Sequence, residues 1–352
     1  MKLLRRLSAT LAAFLLAISL PCQVVPATPP AVATKPAVAI EQPLLWRIEL
    51  PTPSYLYGTI HLPDERVTTL PKVVTEAIDS CGALFTEVPM ELDKLMVAAQ
   101  AAMLPNGTEL VDLIGEELYE RMETYVESRG QRMVMFDRAK PWVATTQLMV
   151  VDMLKKMATE QPLDLKLYTD AKKAGKITGG LETVESQLAV FADLDLEEQR
   201  SMLIATLSQL EKEAAKGKNP TEELLLVYLR GDEAALDKMV NDYPLGDAEL
   251  SEKLKTRLLG GRNVGMVDRI VEQLQRHPER GSFFAVGAAH YGGELGIVKL
   301  LRDRGYRVTR LELDPREGAQ KVEAEAIDGE IARREQEIEA LRARRARILQ
   351  WR

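Results

Sequence analysis

Histidine occurs only three times in 352 residues, and two of the three stand in the same local setting. Gly58-Thr59-Ile60-His61 follows Tyr55-Leu56-Tyr57, and Gly287-Ala288-Ala289-His290 follows Phe284-Ala285-Val286. Each is a GxxH motif at the end of an apolar, strand-like run. A sheet holds such a strand rigidly, the histidine emerges where the strand ends, and the glycine lets another backbone or a substrate come close. Imidazoles on rigid strand ends suit metal ligation. A lone histidine in this position reads more naturally as a hydrogen-bonded core residue; two matched copies favour a shared ion. His277, in Arg276-His277-Pro278-Glu279, lies in a polar turn and reads as surface.

Two imidazoles leave a catalytic metal site short of its usual three protein ligands, one of which is often a carboxylate. Glu87 is the candidate third ligand. In Leu84-Phe85-Thr86-Glu87-Val88-Pro89 it is an acid inside an apolar run, where an unpaired carboxylate is costly. The alternative is a buried ion pair with an arginine such as Arg262. Candidate general bases are Glu65 and Glu294, each four residues after a site histidine, and Glu182. The first two read equally as exposed helix-start acids. Glu182, with Glu185 and Gln187, either lines the cleft or caps a helix and reaches Arg262-Asn263.

These residues come from opposite ends of the chain, so the fold must unite them. Strand patterns fall at 44–50, 55–61, 83–88, 282–288 and 306–313, and helices at 71–80 and 294–304 give each end a strand–helix–strand unit. From about 90 to 277 helical periodicity dominates, in segments 109–129, 142–156, 183–217, 221–243 and 248–276, with one strand-like interruption at 176–181. The expected class is α/β: a central sheet from the two terminal units, a large helical insertion over about 90–277, and a C-terminal charged helix. Methionines in the insertion read as core or as an adaptable binding surface.

The domain itself is expected over 44–315. Before it, Lys2, Arg5 and Arg6 precede an apolar run at 11–20 and then small residues and prolines, the pattern of a secretory signal peptide. That run is about half the ~20 residues of a bilayer-spanning helix. Cleavage near Ala27 gives a signal of 1–27; lipid attachment at Cys22 is the alternative, giving an N-terminal lipid anchor. Residues 28–43, rich in Pro, Ala, Val and Thr, read as a flexible tether. The mature chain is thus expected to be exported, to the periplasm or cell envelope. Residues 316–352 form one charged helical pattern with Ile327, Ile331, Ile338, Leu341 and Ile348 on one stripe, interrupted by Arg334 and Arg345. It reads as a coiled coil making a homo-oligomer, or as a solvated helix on its own domain.

The formal charge of −7, with basic residues spread along the chain, excludes a nucleic-acid partner. Cys22 and Cys81 are the only cysteines, so no disulfide framework is expected, and Cys81 reads as a small buried side chain. Neither HExxH nor GxSxG occurs, which disfavours a zincin or a serine hydrolase.

In the order Leu45-Trp46-Arg47-Ile48, Tyr55 through His61, Glu87, Leu181-Glu182-Thr183 with Glu185 and Gln187, Arg262-Asn263, Val286 through His290, and Gly305-Tyr306, the sequence resembles the TraB/GumN group, which includes the TIKI metalloproteases. The resemblance implies a divalent-metal-dependent protease activity, with manganese or cobalt favoured; zinc enters from general ligand chemistry. It places His61, Glu87 and His290 as the metal ligands. For GumN-like members of the envelope it implies much less about substrate. The group's relation to erythromycin-esterase and ChaN-like folds supports α/β, and it keeps metal or haem binding without hydrolysis open. The expected function is therefore hydrolysis of a peptide or protein substrate by metal-activated water. The alternatives are a binding protein without turnover and a scaffold acting through the C-terminal helix.

Overall fold

The apolar runs around the two GxxH motifs form neighbouring central strands of one sheet. In the computed structural model, residues 40–313 are described together with Arg334, Ile338 and Arg342. The signal segment, the cleavage and lipidation alternatives at Ala27 and Cys22, and nearly all of the 316–352 helix lie outside the described residues. Six strands build the sheet: β1 (Leu45–Ile48), β2 (Ser54–Thr59), β3 (Ala83–Thr86), β4 (Ile177–Gly180), β5 (Ser282–Gly287) and β6 (Val308–Arg310), in the order β4-β3-β5-β2-β1-β6. β4 pairs parallel with β3, β3 with β5, and β5 with β2; β1 runs antiparallel to β2 and β6. Thus every strand but β1 points the same way, and the architecture is α/β.

Strands covered on both faces have no polar side to present. Accordingly all of Ser282–Gly287 and Ala83–Thr86 is buried. Phe85 stacks on Phe284 with ring centroids 5.6 Å apart, tying β3 to β5. At the other side Trp46 stacks on Tyr291 at 4.6 Å, with the Arg310 guanidinium 5.6 Å from the Trp46 ring. The expected helices at 71–80 and 294–304 appear as Lys72–Ser80 and Ile297–Asp303.

Two features differ from the sequence pattern. The strand-like interruption at 176–181 is not a break within the helical segment: β4 joins the main sheet as its edge, so the insertion is stitched to the core. Two glycines allow this. A Cβ at Gly179 would lie 3.2 Å from the Phe85 ring, and one at Gly180 would lie 2.5 Å from the Pro89 nitrogen. The packed chain also begins before the expected tether end at 43. Ile40 is buried, Glu41 N–H donates to Leu229 O at 2.8 Å, and the Gln42 amide bridges both backbone groups of Leu313 at 2.9 and 3.1 Å.

The longer helical patterns are subdivided. Segment 109–129 breaks at Gly115, whose φ of 84° lies in the left-handed region that favours glycine. Segment 248–276 contains a π-helical turn at Thr256–Gly261 between the helices Ala248–Lys255 and Arg262–Arg276. Met122, Met133, Met149, Met157, Met202 and Met266 are buried, so most insertion methionines are core. Among the described residues no helix is long and apolar enough to cross a membrane.

The glycine of the first GxxH motif is fixed by packing. A Cβ at Gly58 would meet Leu44 Cβ at 2.9 Å and the Ala288 Cα at 3.3 Å. Gly58→Ala is therefore expected to cost about 1–3 kcal/mol through overpacking, read as a lowered melting temperature. An unchanged melting temperature would show that β2 and the second motif shift apart freely.

Candidate metal centre

Parallel strands place their carboxyl ends on one edge of the sheet, where open α/β sheets bind their ligands. β3, β5 and β2 are consecutive in the sheet, and Glu87, His290 and His61 follow directly from those three strands. Glu87 comes immediately after β3. His61 is two residues beyond β2, and His290 ends the short 3-10 turn Ala288–His290 after β5. Glu87 Oε1 lies 3.8 Å from His61 Nε2 and 3.8 Å from His290 Nε2. The three side chains are 2%, 7% and 0% exposed for Glu87, His61 and His290, so solvent does not screen them. His61 Nε2 is buried with no hydrogen-bond partner among the described residues.

Each group is held from behind. His61 Nδ1 lies 2.6 Å from Asp164 Oδ2, and Asp164 Oδ1 accepts a hydrogen bond from the Thr59 hydroxyl. His290 Nδ1 contacts Asn263 Oδ1, while the Asn263 amide nitrogen donates to Leu295 O at 2.7 Å and His290 O at 3.3 Å. Glu87 Oε1 accepts the Gly287 N–H at 2.8 Å; Oε2 accepts Gln187 Nε2 at 2.9 Å and Arg262 Nη2 at 2.7 Å. Arg262 Nε in turn donates to Glu182 at 3.0 and 3.1 Å. Adjacent residues on a regular helix point about 100° apart. Arg262 and Asn263 open the α-helix Arg262–Arg276 directly after the π-helical turn, and that offset lets each meet a different member of the site.

Burial dominates the electrostatics. It works against the Glu87 charge, but His290, His61 and the Arg262 guanidinium hold its carboxyl well below the usual carboxylate range. Burial also lowers His61, yet Asp164 and then Glu87 outweigh it and push the imidazole up to about 10. His290 has no carboxylate at its back, and burial pulls it down to about 3 despite Glu87. Glu182 is raised by burial, with Arg262 opposing. The two motif histidines are therefore chemically unequal.

Among the described residues no group of three or more His, Cys, Asp and Glu side chains forms a ready-made metal-holding set. Donor atoms on one tetrahedral ion with bonds of 2.0–2.3 Å stand roughly 3.3–3.7 Å apart. The 3.8 Å separations here exceed that slightly, and one lone pair of Glu87 Oε1 is engaged by Gly287. The donor types nevertheless fit a divalent ion. Both imidazole Nε2 atoms lie 3.8 Å from one carboxylate oxygen, the buried His61 Nε2 has no hydrogen-bond partner among the described residues, and both Nδ1 atoms are fixed by neighbours in the way metal-bound imidazoles usually are. A porphyrin fits poorly, because Glu87 Oε1 occupies the space that both Nε2 atoms face.

Of the three candidate bases, Glu182 alone belongs to the buried network, and it is engaged by Arg262. Glu65 is exposed at the start of the helix Glu65–Thr68, and the Glu294 side chain is 90% exposed, 3.7 Å from Lys299. Glu65 matches the exposed helix-start alternative, whereas Glu294 is exposed in the turn three residues before the helix Ile297–Asp303. The Arg262 ion pair considered for Glu87 is present. Asp164 was not singled out in the sequence, and the function of Asn263 was not legible there. His277 is partly exposed, 3.8 Å from Glu279.

The TraB/PrgY/gumN family profile matches residues 44–310. Similar curated proteins include Metalloprotease TIKI2 of Danio rerio, 29% identical over 314 residues that cover 75% of this chain and 60% of that protein. Metalloprotease TIKI1 of Danio rerio is 28% identical, covering 75% and 62%, and Metalloprotease TIKI1 of Homo sapiens is 26% identical, covering 78% and 63%. The chain thus spans about three-fifths of the length of these relatives. No solved structure matches.

Proposed function

This chain belongs to the TraB/PrgY/gumN family, and on that premise we propose that it is a divalent-metal-dependent hydrolase of the protease type, exported to the cell envelope. The observation that carries this reading is the convergence of His61 and His290 Nε2 on one oxygen of Glu87, at the ends of three adjacent parallel strands. The relatives named as metalloproteases support the same class.

In this reading His61, Glu87 and His290 would hold the ion, of manganese, cobalt or zinc type. Such an ion supplies Lewis-acid polarisation of an acyl carbonyl and acidification of water. The chain's own contribution is positional. Asp164 and Asn263 orient the imidazoles, Arg262 and Gln187 fix one oxygen of Glu87, and the Gly287 N–H fixes the other. A groove of about 620 Å³ borders the Glu182–Arg262 pair, floored in part by Gly261 and Gly265. A Cβ at either glycine would meet nothing within 4 Å, which leaves room for a substrate chain beside the centre.

The test is metal analysis of the purified chain together with hydrolysis of a peptide panel. Chelation is expected to abolish hydrolysis, and re-adding manganese, cobalt or zinc to restore it. Metal retained without any turnover would support a binding protein instead. Hydrolysis insensitive to chelation would end the metal reading.

A further inference from the structure

The two histidines are backed by different residues, a carboxylate at one and an amide at the other. Building on the metal-hydrolase reading above, we propose that Asp164 and Asn263 are positioning residues that fix the tautomers of both imidazoles, and that Asp164 also supplies the charge that matches the site to a divalent cation.

The tautomers follow from donor and acceptor inventory. An amide can be assigned either way round unless its neighbours decide. Here they do: the Asn263 nitrogen faces two carbonyls, Leu295 O and His290 O, which can only accept. Its oxygen must therefore be the atom that meets His290 Nδ1, so that ring nitrogen carries the proton and Nε2 presents its lone pair toward Glu87. Asp164 reaches the same result by a different route. Its Oδ1 accepts from the Thr59 hydroxyl, and Oδ2 sits 2.6 Å from His61 Nδ1. A carboxylate has no proton to give, so Nδ1 again carries one, and in the neutral ring that ligates an ion Nε2 presents its lone pair toward Glu87.

Orientation alone does not require a charge, since an amide suffices behind His290. A carboxylate 2% exposed costs desolvation energy that an amide at the same place would avoid. Its value lies in the charge count. An imidazole must give up its extra proton to ligate an ion, and in that state the buried cluster holds three carboxylates, Asp164, Glu87 and Glu182, against one guanidinium, Arg262. Three negative charges and one positive leave −2, which a divalent cation cancels.

Asp164→Asn isolates that charge. The amide oxygen can still accept from His61 Nδ1, and the amide nitrogen can donate to Thr59 Oγ1, which accepts as readily as it donates. The full-length chain is loaded with cobalt or zinc, affinity is measured by chelator competition, and melting is followed in chelator. Expected for Asp164→Asn is metal binding weaker by about 10–100-fold, an unchanged cobalt visible spectrum, and a lower melting temperature in chelator, where His61 loses its counter-charge. Asp164→Ala, which also removes the orienting contact, should alter that spectrum. Unchanged affinity in Asp164→Asn would overturn the proposal and leave Asp164 a structural residue, while the metal-hydrolase reading stands. A wild-type chain that takes up neither metal would overturn both.

Discussion

Replacing His61 or His290 by alanine is expected to remove bound metal and to reduce metal-dependent hydrolysis to the chelated level, with the double variant little worse than either single one. Groups that act as a unit are strongly non-additive, because the loss of one already empties the function of the other. The two variants should nevertheless differ in stability. His61→Ala leaves Asp164 as a buried carboxylate with only Thr59, a cost of about 3–5 kcal/mol. His290→Ala leaves a neutral amide oxygen without the imidazole, a cost of about 1–3 kcal/mol. Metal content and melting curves on the same samples check both halves of this expectation. His277→Ala, at a partly exposed turn, should match wild type in every measurement. Equal melting temperatures for the two site variants would contradict the unequal backing of the histidines, and metal retained by both would remove them as ligands.

How much of this was legible depended on whether the signal was local. His61 and His290 stood out because a scarce residue type recurred in one motif, and Glu87 because an acid interrupted an apolar strand. All three are strand-end positions, where the sequence period itself announces the geometry. Asp164 carries no such mark. In Pro162-Leu163-Asp164-Leu165 it is an acid in the first turn of the helix Leu163–Lys173, the place where acids are ordinarily found. Its role exists only because the fold brings that turn against Thr59 and His61. Asn263 was visible beside Arg262, but the π-helical turn that precedes the pair cannot be read from periodicity near 3.6. Spacing says nothing of direction for a related reason: four residues beyond each histidine, Glu65 and Glu294 stand exposed. Strand positions were legible to within a few residues because alternation and apolar runs are short-range. The pairing of β4 was not, since Thr178-Gly179-Gly180 has little side-chain pattern and its partner β3 is distant in sequence. Ile40 was hidden in the same way, by a surrounding composition that reads as tether.

Glu87→Gln is expected to lose both metal and stability, because one carboxylate performs two tasks with different oxygens. Oε2 meets Arg262 and Gln187, whereas Oε1 takes the Gly287 N–H and faces the histidines. A glutamine must present its NH₂ to donors on one side or the other, and neither orientation satisfies the site. Breaking one partner out of a buried ion pair costs about 3–5 kcal/mol, here moderated by the remaining Glu182 contact of Arg262. Arg262→Met separates the two tasks. It removes the cation and leaves two buried carboxylates, so stability in chelator should fall, yet Oε1 and both imidazoles remain in place. Added metal should then recover more melting temperature in Arg262→Met than in wild type, since ligand binding stabilises the state that holds it and here also offsets uncompensated negative charge. Glu87→Gln should show no such recovery. If Glu87→Gln instead keeps full metal content while losing stability, the carboxylate serves only the arginine, and the histidines must draw their third ligand from elsewhere in the network, with Glu182 the nearest buried acid linked to the same guanidinium.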